Sequence, residues 1–182
     1  WPVQLADSLE KSSIDISDAE IIAQTGWTTS QLISGIELEE PQGPYHLVSL
    51  LIGVNNQYRN QDTAAYRSEF RELLQTAIAS ADSIPGHVIV VSIPDYGVTP
   101  FAQDLDTEKI SEEIDLFNRI NYEETKKLSA EYVDITPISR RAKDEPDLTA
   151  GDGLHPSGKM YKEWVELLYP VALEILQSQT KE

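Results

Sequence analysis

Asp152-Gly153-Leu154-His155-Pro156 sets a carboxylate three residues ahead of an imidazole. A carboxylate that holds a histidine in one orientation and tautomer makes it a general base, able to take the proton of an attacking hydroxyl. Of the three histidines, His155 stands in such a position, whereas His46 and His87 each directly precede an apolar run and read as polar strand-start residues. Acyl transfer further requires donors aimed at an oxyanion. Two candidates are present: Gly26, in Gln24-Thr25-Gly26-Trp27-Thr28-Thr29, and Asn55, in Gly53-Val54-Asn55-Asn56. Each fragment by itself also fits ordinary turn chemistry. Their order along the chain, each in a loop after an apolar run, is what points to one site.

The elements that must position these residues alternate along the chain. Residues 47–52 are almost continuously apolar, as expected for a strand covered on both faces. Residues 88–93 predict a second buried strand, ended by Pro94-Asp95, and residues 132–135 and 20–23 predict short ones. Helical periodicity covers residues 1–11, 28–38, 63–81, 106–130 and 158–177, with Thr28 or Thr29 as N-cap of the second. Such alternation without hairpin signals implies parallel strands joined by crossovers, hence an α/β fold, a three-layer α/β/α sandwich around an open sheet. Ligands in such sheets gather beyond the carboxyl ends of the strands. Gly26, Asn55, Asp95 and the Asp152–His155 loop are all expected on that side.

Composition narrows the function. The 182 residues suffice for one domain with a real core, expected over 1–182. A formal net charge of −17, from 31 acidic and 14 basic residues, argues against nucleic acid and anionic membranes as partners. With no cysteine, disulfides, thiolate metal sites and cysteine nucleophiles are excluded. No apolar run approaches the length of a membrane helix. No metal or organic cofactor is implied, and no Gly-rich phosphate loop follows a strand, which disfavours a nucleotide or flavin binder. Compartment and oligomeric state stay open.

The three fragments together resemble the SGNH/GDSL-type serine hydrolase family. Gly26 resembles the glycine of the family's second block, Asn55 the asparagine of its third, and Asp152 and His155 the pair of its fifth. In the third block the usual Asp after the asparagine is Asn56 here. The resemblance implies a flavodoxin-like parallel sheet and hydrolysis of a small-molecule ester. It also implies His155 as base, Asp152 as its orienter, and an oxyanion hole from the Gly26 N–H and the Asn55 amide. The first block, Gly-Asp-Ser-Leu, has only Ala6-Asp7-Ser8-Leu9 as a local counterpart, and Ser8 falls within the first helical pattern with no strand before it. The first strand and its nucleophilic serine are therefore expected upstream of Trp1, making the domain N-terminally incomplete. That strand lies inside a flavodoxin-like sheet, so residues 1–182 alone are not expected to be a stable monomer. The alternative is a non-catalytic carbohydrate- or ester-binding module on the same fold.

Overall fold

Along the chain run α1 (Pro2–Glu10), α2 (Thr29–Glu39), β1 (Val48–Leu50), α3 (Val54–Tyr58), α4 (Thr63–Ser80), β2 (Val88–Val91), α5 (Thr107–Lys127), β3 (Glu131–Val133), α6 (Thr136–Arg140) and α7 (Gly158–Gln179), with short 3-10 turns between. The computed structural model describes residues 1–179. The strands are parallel in the order β1-β2-β3, with Val48 opposite Val88, Leu50 opposite Val90, and Val91 opposite Val133. The α/β class and the parallel sheet are thus as the alternation of elements implied. Residues 1–179 divide into two units, one from Ile21–Ile93 and Leu116–Val133, the other from Trp1–Glu20, Pro94–Asp115 and the chain from Asp134 on.

The first of these units holds the sheet. β2 is buried throughout, as suits a central strand whose branched side chains pack on both faces. It ends at Val91, two residues before the apolar run does. The physical reason is a side chain: the Asn118 amide accepts from Ile93 N–H at 2.8 Å and donates to Ile93 C=O at 3.1 Å, taking the place of a neighbouring strand. β1 pairs on one side only among the described residues, and Ser49 is exposed, so the expected cover on both faces does not hold there. No strand forms at residues 20–23, and Ile21 is exposed; an apolar run becomes a strand only where a neighbour takes its backbone groups. His46 and His87 lie just ahead of β1 and β2, at the amino ends of the strands, as read from the sequence.

α4 forms because its apolar residues recur at helical spacing and Asp62 caps it, its Oδ1 accepting from the Ala64 and Ala65 N–H groups. Tyr66, Phe70, Leu73 and Leu74 are buried on its inner side, each contributing on the order of 2 kcal/mol of apolar burial. Tyr66 packs 4.5 Å from the Phe117 ring of α5. Its hydroxyl lies 2.6 Å from Asn121 Oδ1 and so close to Gly53 that a Cβ there would come within 2.3 Å of it. Only glycine fits that approach. α4 and α5 are also tied by charge: Arg67, Arg71 and Lys127 converge on Glu124, whose side chain has no exposed surface.

In the other unit α1 lies along α7, with Ser12 Oγ 2.6 Å from the Tyr169 hydroxyl. Leu5, Leu9, Leu148, Trp164, Leu168 and Ala172 are buried there. α7 continues through Pro170, which supplies no N–H to the turn before it. No described helix is long and apolar enough to cross a membrane.

Candidate active site

The loop between α6 and α7 builds the Asp–His pair. Thr149 and Pro156 form an antiparallel bridge, Ala150 N–H donates to His155 O at 2.7 Å, and Gly153 N–H donates to Ala150 O at 3.0 Å. Inside this closed loop Asp152 uses both oxygens. Oδ1 accepts from the Leu154 and His155 N–H groups, each at 3.0 Å, and Oδ2 lies 2.6 Å from His155 Nδ1. The two backbone donors, and then the imidazole, hold the Asp152 carboxyl at about 2, well below the usual carboxylate range. Both side chains are about half exposed, at 52% for Asp152 and 53% for His155. The pair is thus a fixed anion directing an imidazole whose Nε2 points away from it, the arrangement a general base needs.

Gly26 and Asn55 lie in the sheet unit, and the structure brings them together. Gly53 N-caps α3 directly after the β1 run, and Asn55 follows in its first turn. Asn55 Nδ2 donates one hydrogen to Trp27 O at 3.0 Å, which fixes the amide and leaves its second hydrogen over. Gly26 has φ +87°, in the left-handed region that favours glycine. Its N–H donates to no group among the described residues. The turn closes through Trp27 N–H to Gln24 O at 3.2 Å, and Thr28 N-caps α2, its N–H bonded to Gln31 Oε1 at 3.1 Å. Of the two N-cap candidates the structure selects Thr28. Asn56 is buried, accepts from Thr29 N–H at 3.2 Å, and donates to Thr29 Oγ1 at 2.6 Å.

Asp95, expected on the same side of the sheet, behaves differently, and three further residues bear on the reading. Asp95 is buried, not a mouth residue: its carboxylate pairs with Arg140 Nε at 2.9 Å and accepts from Gly97 N–H at 2.8 Å. Arg140 also reaches Asp115 at 2.8 Å. Phe101 is exposed and joined to the Asp–His loop, its N–H donating to Gly153 O at 3.0 Å. From sequence Arg59 can either touch an anionic or carbonyl group or form a surface salt bridge; it takes the carbonyl, donating to Gly26 O at 2.7 Å and to Gln31 Oε1 at 3.3 Å. Its spacing of four from Asn55 was the signal available for this role. Ser8 lies within α1, its Oγ donating to Gln4 O at 2.8 Å. Among the described residues no group of three or more His, Asp or Glu side chains is arranged to hold a metal ion.

The described residues thus combine a parallel α/β sheet, an Asp–His pair in a late loop and an asparagine in the short helix that follows β1. The profile of the GDSL-like lipase/acylhydrolase family matches residues 1–163, and the chain belongs to that family. Among solved structures, it resembles the lipase/acylhydrolase from Enterococcus faecalis, with a TM-score of 0.65 and 19% identity over 96% of this chain and 84% of that one. It also resembles the psychrotrophic esterase EstA from Pseudoalteromonas sp., with a TM-score of 0.56 and 17% identity over 98% and 86%. An acetyl xylan esterase from Geobacillus stearothermophilus gives a TM-score of 0.50 and 18% identity over 83% and 68%. At these identities the likeness concerns the fold. No curated protein matches the chain.

Proposed function

We propose that this protein hydrolyses small carboxylic esters through a serine nucleophile, with His155 as general base, Asp152 as its orienter, and the Gly26 N–H and Asn55 amide as oxyanion donors. The observation that carries the reading is the 2.6 Å contact between Asp152 Oδ2 and His155 Nδ1, in a chain that belongs to a lipase/acylhydrolase family. The serine hydroxyl loses its proton to His155 as its oxygen bonds to the ester carbonyl carbon; the carbonyl oxygen becomes the anion that the two donors receive. His155 then passes the proton to the departing alcohol, and water repeats the sequence on the acyl-enzyme. The free hydrogens on Gly26 N and Asn55 Nδ2 support the donor role. In this reading the attacking hydroxyl is not Ser8, which is turned into its own helix, but a serine preceding Trp1.

The test is p-nitrophenyl acetate turnover by the full-length protein, before and after a serine-directed phosphonate. Turnover that stops with a single adduct on a peptide ahead of Trp1, and that is abolished by His155→Ala, is the expected result. An adduct on Ser8 would overturn the assignment of the nucleophile. Turnover that persists in His155→Ala would overturn the mechanism.

A further inference from the structure

We propose that Arg59 is a positioning residue of the oxyanion hole, acting through the carbonyl of Gly26; the proposal rests on the reading of Gly26 and Asn55 given above. α3 and its C-cap meet the Gly26 turn residue by residue. Arg59 Nη2 donates to Gly26 O at 2.7 Å, Asn55 Nδ2 to Trp27 O at 3.0 Å, and Asn56 Oδ1 accepts from Thr29 N–H at 3.2 Å. Arg59 and Asn55, four residues apart, therefore grip two consecutive carbonyls, and the backbone bond from Arg59 N–H to Asn55 O at 3.1 Å holds them in step. The planar guanidinium also reaches Gln31 Oε1 at 3.3 Å, the oxygen that receives Thr28 N–H.

The commitment of this arginine is to backbone and amide oxygens, where most others are committed to carboxylates. Arg67, Arg71, Arg140 and Arg141 each pair with at least one carboxylate, whereas among the described residues none pairs with Arg59 or Arg119; of those two, only Arg59 donates to a backbone carbonyl in the described hydrogen bonds. In a chain of net charge −17, an arginine committed to backbone and amide oxygens serves the turn it holds. That turn needs holding, because a glycine at φ +87° is free to rotate and would carry its N–H off the oxyanion. Removing Arg59 leaves the Gly26–Trp27 peptide gripped from the Trp27 side alone.

The experiment compares Arg59→Ala, Arg59→Lys and Asn55→Ala in the full-length protein, with p-nitrophenyl acetate as substrate. Asn55→Ala should lower kcat about 10²- to 10³-fold, as loss of one oxyanion donor does. Arg59→Ala should lower kcat about tenfold while KM stays within about twofold and the melting temperature is unchanged. Arg59→Lys should recover part of the loss, since an ammonium reaches one carbonyl but cannot span two acceptors. Wild-type kcat in Arg59→Ala, beside a crippled Asn55→Ala, would overturn the proposal and leave the hole intact. A loss confined to KM would also overturn it, making Arg59 a substrate contact. If Arg59→Ala does not fold, Arg59→Lys decides, and wild-type kcat there counts against a positioning role. A fully active Asn55→Ala would instead sink the oxyanion reading on which the proposal stands.

Discussion

Asp152 is engaged at both oxygens, and this keeps it in its charged form. Two backbone N–H groups hold the carboxyl at about 2, so it is ionised throughout the range in which enzymes of this kind are assayed. A protonated imidazole has no lone pair to accept a serine proton, so under the proposed mechanism activity falls on acidification. The expected profile of kcat/KM against pH therefore has one acid limb of unit slope. A second ionisation near pH 4 would show that Asp152 titrates within the working range and that its backbone bonds do not hold in solution. A profile with no acid limb would remove His155 as base.

Between elements, the α4–α5 contact depends on Glu124. Burial alone would raise its carboxyl, but bonds from Arg71, Lys127 and Arg67 outweigh burial and bring it from 4.5 down to about 2. A carboxyl depressed on folding contributes stability that is complete above the unfolded value and is lost as pH falls through the folded one. The window is therefore pH 4.5 down to about 2, and the contribution is at most about 3 kcal/mol. Urea midpoints measured across that window should fall less for Glu124→Gln than for the wild type, the remaining fall coming from other depressed carboxyls such as Asp152. At neutral pH Glu124→Gln should be less stable by up to about 3 kcal/mol, because it leaves Arg71 and Lys127 without their anion and Arg67 with Glu123 alone. Equal midpoints at pH 7 would reduce the cluster to a surface arrangement.

The same elements show what a sequence can announce. α4, α5 and α7 were legible because their apolar residues repeat over many turns, and the Asp–His pair because its spacing is local. The end of β2 was not, since it depends on Asn118, 25 residues away from Ile93. The five residues of α3 are too few to show a period, and Asp95 finds Arg140 across 45 positions.

At the scale of the whole molecule, 31 acidic residues face 14 basic ones, and several of the basic ones are taken up in ion pairs. The remaining negative charge repels itself and favours expansion. Raising ionic strength from about 0.01 to 0.1 M shortens the Debye length from about 30 to 10 Å, so the melting temperature should rise by a few degrees and then level off. A melting temperature that falls with salt would mean that the ion pairs outweigh the net repulsion.

Against that background the Asp152–His155 loop is insulated. Its acid and base are three positions apart within a segment that bonds to itself from Thr149 to Pro156, so their mutual aim does not depend on how distant strands or helices are placed. Where such partners come from remote parts of a chain, any loosening of the fold spoils their alignment first. Here the pair travels as a ready-made cassette. Mild heating should then misplace it as a whole before the imidazole parts from its carboxylate.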